Sequence, residues 1–248
     1  MKSKKRLGQN FLSNRKILEQ IVEAGEISSA DTVLEVGPGK GSLTEILSQK
    51  AKKVIAVEKD HGLVIWLMEH KTWKNVEIVE GDILKNTNRY TLNAKRFKVV
   101  ANIPYYITSH FLKTFLTAPQ KPQLMVLMVQ YEVAKRILAK PGEMNLLALS
   151  VQIYGTPRLV SKVSKNYFHP RPKVDSAIIK ISDISDKWLR DNGLLEEKLF
   201  ALLKKAFGQK RKMLLNSLGV DNLPEKYKND RPENLSLEDW VSISKLFL

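Results

Sequence analysis

The amino-acid sequence predicts an α/β protein: a doubly wound, mostly parallel sheet followed by a small all-helical C-terminal domain. Three observations carry that expectation. Short β-rich runs alternate with helix-period segments from about residue 15 to residue 139, the pattern of crossover units between parallel strands. From about Asp183 onward the strand signal stops and only helix-period segments remain. The composition, 43% hydrophobic and 8% aromatic over 248 residues, is that of a globular chain long enough for one or two domains.

Taken in order, Ile17, Leu18, Ile21 and Val22 lie at helical spacing within 15–25. Thr32 to Val36 is a β-rich run that ends in Gly37-Pro38-Gly39-Lys40-Gly41, and helical periodicity resumes at Leu43, Ile46 and Leu47. The cycle repeats with strands at Val54–Val57, Val76–Val79, Lys98–Ala101 and Leu124–Val129. Helices are expected at Leu63–His70, Thr108–Leu116 and about Glu132–Ala139. Leu146 to Tyr154 fits either period; its place after α/β cycles favours helix. Leu159–Phe168 and Val174–Ile181 read as an antiparallel pair at the sheet edge. Leu195–Phe207, Lys210–Leu218 and Leu237–Phe247 read as helices, the last opened by a Ser236-x-x-Asp239 capping box. The expected domains are therefore 1–182 and 183–248.

Charge narrows the function. The chain carries 41 Lys+Arg against 26 Asp+Glu, a formal charge of +15, and the excess is clustered. Residues 1–18 hold six basic residues, Lys4, Lys5 and Arg6 among them, and no acid. Residues 156–181 hold six, including Arg171 and Lys173, against Asp175 alone. Residues 198–212 hold Lys198, Lys204, Lys205, Lys210, Arg211 and Lys212 with no acid. Three such stretches fit a polyanionic partner, most simply nucleic acid. The absence of cysteine excludes disulfides, thiolate nucleophiles and cysteine-based zinc sites. His61, His70 and His110 have no partner pattern for a metal. The basic N-terminus is followed by polar residues rather than an apolar signal core, and Leu124–Val129 is far too short for a membrane span. The expectation is a soluble, cytoplasmic protein with no membrane partner.

The glycine loop lies between a strand and a helix, where it lets the backbone turn tightly and approach a ligand. Taken alone it fits a plain tight turn equally well. Glu58 ends the second strand 21 residues after Gly37. There a carboxylate can accept from both hydroxyls of a ribose. Asp82, at the end of the third strand, is placed to meet an adenine amino group. These features at successive strand ends point to an adenosine-containing cofactor.

The fourth strand ends in Asn102-Ile103-Pro104-Tyr105. An adenine N6 is a poor nucleophile because its lone pair is delocalised into the ring. Acceptors for its two N–H bonds favour the pyramidal geometry of attack. The Asn102 amide oxygen is one such acceptor, the carbonyl preceding Pro104 is a second, and Tyr105 offers an aromatic face to an extruded base. The plain alternative is a β-turn with proline at its second position.

These segments make the sequence recognisable. Leu7-Gly8-Gln9-Asn10-Phe11-Leu12, Glu35-Val36-Gly37-Pro38-Gly39-Lys40-Gly41, Asn102-Ile103-Pro104-Tyr105 and Phe168-His169-Pro170-Arg171-Pro172-Lys173-Val174-Asp175-Ser176-Ala177 occur in that order. The chain resembles the ribosomal-RNA adenine N6-dimethyltransferase family over nearly its whole length. The resemblance implies a Rossmann-like methyltransferase sheet and S-adenosylmethionine as cofactor. It implies that Asn10 and Leu12 close over the methionine part, that Gly37 and Gly39 approach the cofactor, that Glu58 binds ribose, and that Asp82 and Ile83 bound the adenine. Asn102 and Tyr105 would serve the target base, Asn102 also bordering the cofactor, and Phe168 would stack on the base's other face.

Val174-Asp175-Ser176-Ala177, the Ala206–Lys212 stretch and Arg231–Asp239 resemble the small-subunit branch. That branch dimethylates two adjacent adenosines in a hairpin loop near the 3′ end of small-subunit rRNA. The implied partners are that RNA and the immature small subunit, met by a monomer. Rival readings are a large-subunit enzyme conferring macrolide-type resistance, a non-catalytic assembly factor and a DNA adenine methyltransferase. Two departures from the family pattern stand out: Tyr131 where lysine is usual, and Met144-Asn145 in place of Tyr-Gly.

Overall fold

The structure is a computed structural model that describes residues 10–85, 96–209, 212–220 and 223–247. It divides into two compact units. One comprises the described residues up to Ala134 together with Thr156–Ile184, and the other comprises Lys135–Gly155 with those from Ser185 onward.

The first unit is built on a seven-stranded sheet. Its strands are β2 (Thr32–Val36), β3 (Lys53–Glu58), β4 (Val76–Glu80), β5 (Lys98–Asn102), β6 (Leu124–Gln130), β7 (Thr156–Val163) and β9 (Ser176–Ser182), in the order β4-β3-β2-β5-β6-β9-β7. The five strands from β4 to β6 run parallel, while β9 is antiparallel to both β6 and β7. All of Leu124–Val129 is buried, as a central parallel strand requires. The expected antiparallel pair is present, with β9 rather than β7 adjoining β6. The second half of the expected Leu159–Phe168 strand instead forms a short 3₁₀ turn, Lys165–Tyr167, and a separate two-residue strand β8 (Phe168–His169). That strand pairs with β1 (Phe11–Leu12), a pairing without a sequence signal.

Helix α1 (Arg15–Ala24) precedes the first strand of this sheet, and α2 (Ser42–Lys50), α3 (His61–His70) and α4 (Thr108–Leu116) supply crossovers between its parallel strands. Local chemistry fixes their starts. The Asn14 side chain accepts from Ile17 N–H and the Asp60 side chain from Gly62 N–H, each satisfying an orphan donor of the first turn. Helix α2 begins after Gly41, whose φ of +77° is left-handed. A Cβ there would lie 2.6 Å from the Trp73 ring, so both backbone and packing demand glycine.

Helix α5 (Tyr131–Ile137) follows β6. The second unit contains α6 (Leu146–Gln152), α7 (Lys187–Asp191), α8 (Glu196–Gly208), α9 (Leu214–Leu218), α10 (Glu225–Lys228) and α11 (Leu237–Ser244). Helix α11 opens with the expected capping box: Ser236 and Asp239 exchange side-chain-to-backbone hydrogen bonds at 3.0–3.1 Å. Trp240 is buried beside Phe207.

The domain boundary differs from the single cut expected after residue 182. Residues 135–155 pack with the C-terminal helices: Tyr154 stacks on Phe200, Gly142 and Met144 donate N–H bonds to the Glu233 carbonyl, and Ser185 N–H donates to the Tyr154 carbonyl. The place of 146–154 in the chain order favours a helix, and 146–152 is helical, but that order does not say which core the apolar face enters. The Met144-Asn145 departure is local helix chemistry. Met144 is buried, and Asn145 caps α6 by accepting from Leu147 and Ala148 N–H at 3.1 Å. At the other departure, the Tyr131 ring lies 4.9 Å beneath the Lys162 ammonium.

Candidate active site

Parallel strands in register bring their carboxyl ends to one edge, the edge where open α/β sheets bind ligands. Here Val36 aligns with both Val57 and Ala101, and Glu58 aligns with Glu80. The loops leaving those ends enclose a cavity of about 390 Å³. That volume lies within the usual range for small-molecule sites.

Gly37 and Gly39 both have left-handed backbones, with φ of +71° and +60°. Gly37 N–H donates to the Val57 carbonyl at 2.9 Å, tying the loop to β3. A Cβ on Gly39 would come within 3.0 Å of the Phe11 ring, so a side chain would push at the strand that crosses the loop.

Glu58 is only 7% exposed and is pinned by three backbone donors. Its Oε1 accepts from Lys59 and Asp60 N–H at 2.8 and 2.9 Å, and its Oε2 accepts from Gly39 N–H at 3.2 Å. Burial is the largest influence on this carboxyl and raises its pKa, against those three N–H bonds. A carboxylate has about four lone-pair positions. Three are used, so one position is left, on Oε2; accepting from two further hydroxyls would require the Gly39 N–H to give way.

Asp82 stands near the end of β4. Burial pushes its pKa up, but the Lys59 ammonium at 2.8 Å and the Leu84 N–H at 3.1 Å prevail and hold it below the ordinary value. Beside it, the buried Ile83 gives the cavity an apolar wall.

The Asn102 Nδ2 donates to the Asn10 carbonyl at 3.3 Å. That bond makes Nδ2 the donor end and leaves Oδ1 as the acceptor end of the amide. Tyr105 begins a 3₁₀ turn, Tyr105–Ile107, and its phenol is 2.7 Å from the Ser176 hydroxyl. Burial raises the phenol's pKa, with the Ser176 contact opposing.

The structure thus brings Asn10, Leu12, Gly37, Gly39, Glu58, Asp82, Ile83, Asn102 and Tyr105 around one cavity. Phe168 stands apart from this group. Its ring is 4% exposed, belongs to the hydrophobic core with Leu12 and Leu18, and does not line the cavity. Successive strand side chains point to opposite faces. Phe168 pairs with Leu12 and turns inward, while His169 pairs with Phe11 and lines the cavity. Arg171, Lys173, Lys204, Lys205 and Lys212 are exposed. Lys4, Lys5, Arg6, Lys210 and Arg211 lie outside the described residues.

Sequence reasoning missed Glu35. This carboxylate lines the cavity at 1% exposure. Neither its Oε2 nor the neighbouring Thr44 hydroxyl has a hydrogen-bond partner among the described residues. Burial, opposed by Thr44 and reinforced by the Glu58 charge, pushes its pKa up to about 8. The available signal was an acid inside an otherwise apolar strand, next to the glycine loop. Tyr106 was also missed; it stands on the cavity rim, 65% exposed.

The sequence matches the family described as ribosomal RNA adenine dimethylase over residues 1–247. The chain belongs to that family. A "Ribosomal RNA small subunit methyltransferase A" of Dehalococcoides mccartyi strain 195 is 44% identical, covering 100% of this chain and 89% of the relative. The protein of that name from Alkaliphilus metalliredigens is 36% identical over 97% of this chain and 90% of its own length. Among solved structures, a dimethyladenosine transferase from Plasmodium falciparum superposes with a TM-score of 0.80 at 29% identity, covering 96% and 97% of the two chains. The 23S rRNA methyltransferase ErmE gives 0.67 at 27% identity, covering 95% and 98%. The dimethylase sheet is therefore Rossmann-like, and the cofactor of this family is S-adenosylmethionine. Among the described residues, none group as a metal site, and no helix is long and apolar enough to cross a membrane.

Proposed function

We infer that the protein dimethylates N6 of adenosine in small-subunit ribosomal RNA, using S-adenosylmethionine. The small-subunit name carried by relatives up to 44% identical favours this over the large-subunit reading. The observation that carries the chemistry is the meeting of Asn102 and Tyr105 with the nucleoside-binding residues on one cavity.

The residues present fit the cofactor. The orphaned Glu35 carboxylate, buried without a counter-charge, suits the ammonium of the methionine part. Glu58 suits a ribose hydroxyl, Asp82 an adenine amino group and Ile83 an adenine face. Asn10 and Leu12 flank the same space from the N-terminal strand. When bound, S-adenosylmethionine supplies an electrophilic methyl group on a sulfonium.

The protein's own task is to hold the acceptor. Asn102 Oδ1 accepts one N6–H and the carbonyl before Pro104 the other, which loosens the lone pair from the ring. Tyr105 stacks on the extruded base, a contact worth about 1–3 kcal/mol. On receiving the methyl group that the sulfonium would give up, N6 would become cationic and shed a proton to water. No strong general base is required, consistent with the Asn102 amide at this position. A second transfer repeats the chemistry on the monomethylated amine, which has one N–H left for Asn102.

The target we favour is a pair of adjacent adenosines in a hairpin loop near the 3′ end of the RNA, met within the immature small subunit. Arg171, Lys173, Lys204, Lys205 and Lys212 are assigned to phosphates, so affinity falls steeply with salt. The protein acts as a cytoplasmic monomer in this reading. The decisive experiment is methylation of small-subunit particles lacking the modification, in parallel with large-subunit RNA, with sites mapped. Dimethyladenosine confined to the small subunit, and lost in Asn102→Ala with RNA affinity retained, supports the assignment. Transfer to large-subunit RNA alone, or full turnover by Asn102→Ala, overturns it.

A further inference from the structure

Tyr106 has a different environment from Tyr105 beside it. Tyr105 is partly buried with its phenol bonded to Ser176, whereas Tyr106 is 65% exposed, and both line the cavity. The backbone that carries them is fixed: Ile107 N–H donates to the Pro104 carbonyl at 3.1 Å, and the buried Thr108 hydroxyl donates to the Tyr105 carbonyl at 3.1 Å. In a 3₁₀ turn of about three residues per revolution, successive side chains diverge by roughly 120°. One ring of the pair therefore faces into the wall of the cavity while the next stands at its rim. The other exposed side chains on the cavity lining are Ser13, Lys40, Ser42, Lys59 and His169, so Tyr106 is the largest exposed ring there.

We propose that Tyr106 is a second stacking seat, taken by the nucleotide next to the adenine under reaction. The proposal rests on the adenine N6 assignment and adds a residue to it. Extruding one base unstacks its neighbour as well as itself, at a cost of a few kcal/mol. A ring at the rim replaces the lost stack for the neighbour, and stacking tolerates any base because each has a π-face. Since the favoured target is two adjacent adenosines, the base held at the rim while the first is modified is the second substrate. Tyr106 then links the two modifications by keeping the strand seated between transfers.

The test uses the full-length protein and small subunits lacking the modification, with the nucleotide beside the target either intact or abasic. Tyr106→Ala should lower kcat/KM for the particle by about 5- to 150-fold, the range for losing one base–aromatic stack. Its cofactor Kd should be unchanged, and the ratio of singly to doubly modified particles should rise. Tyr106→Phe and Tyr106→Trp should restore activity. The abasic neighbour should impair the wild type to a similar extent and Tyr106→Ala hardly further, a non-additivity that marks a direct contact. Additive losses, an unaffected Tyr106→Ala, or a Phe variant as impaired as Ala would overturn the seat while leaving the enzyme assignment intact. A wild-type protein that modifies no adenine overturns both.

Discussion

The hydroxyls of Tyr105 and Ser176, 71 residues apart in sequence, meet at 2.7 Å. Ser176 is fully buried at the start of β9, so this contact ties the ring assigned to the target base to the sheet. Its prediction separates the ring from its tether. Tyr105→Phe and Ser176→Ala each remove a hydrogen bond worth about 1 kcal/mol and should cost roughly fivefold in kcat/KM. Tyr105→Ala removes the stack as well and should cost about tenfold more. Steady-state kinetics of the three variants check this; equal losses in Phe and Ala would place the function in the hydroxyl.

Glu35 makes stability depend on pH. Its pKa in the folded protein is about 8, against 4.5 for an ordinary glutamate. Across that window the folded state keeps a proton that the unfolded chain releases. The stabilisation is complete below pH 4.5 and is lost as pH rises to about 8. Glu35→Gln should flatten that part of the profile for the cofactor-free protein, as measured by thermal melts at intervals through the window. If the carboxylate pairs with the cofactor's ammonium, wild-type binding at pH 7 also releases a proton. Calorimetry in buffers of different ionisation enthalpy should detect that release, and Glu35→Gln should abolish it.

Gly41 and Trp73 form a coupled pair. Alanine at Gly41 combines a left-handed φ, costing about 1–2 kcal/mol, with a Cβ 2.6 Å from the Trp73 ring. Gly41→Ala should therefore lower stability by about 2 kcal/mol or more and weaken cofactor binding through the displaced loop. In a Trp73→Ala background the same substitution should cost less, the backbone part and the Leu67 contact at 3.0 Å remaining. Urea denaturation of the four proteins measures the coupling, and simple additivity would show that the ring yields freely.

Asn145 offers a control away from the site. Asn145→Ala leaves Leu147 and Ala148 N–H without their acceptor and should cost about 1 kcal/mol. Asn145→Gly, the residue usual in the family, should cost only a few tenths, because glycine is tolerated at an N-cap. Denaturant midpoints distinguish the two, and methyl transfer should be unaffected by either.

How much was legible depended on whether the signal was local. The alternation of apolar runs gave the parallel strands and their crossovers, since a strand buried on both faces must be apolar along its length. The glycine loop, Glu58 at its spacing and the Asn102–Tyr105 segment, which line one cavity, could be picked out because backbone geometry and hydrogen-bonding capacity belong to the residues themselves. Phe168 shows the limit. Strand alternation says that Phe168 and His169 face opposite ways, but only the pairing with Phe11–Leu12 decides that Phe168 enters the core and His169 the cavity.

By itself, the sequence determined the α/β class, the helical tail, the family and residues that line one cavity at the strand ends. Tertiary structure alone decided three further matters. It sent 135–155 to the C-terminal helices, it left the Glu35 Oε2 desolvated without a hydrogen-bond partner among the described residues, and it joined Tyr105 to Ser176. Propensity and spacing act over a few residues and can be read along the chain. Desolvation, pairing and the choice of core exist only when segments far apart in sequence come into contact.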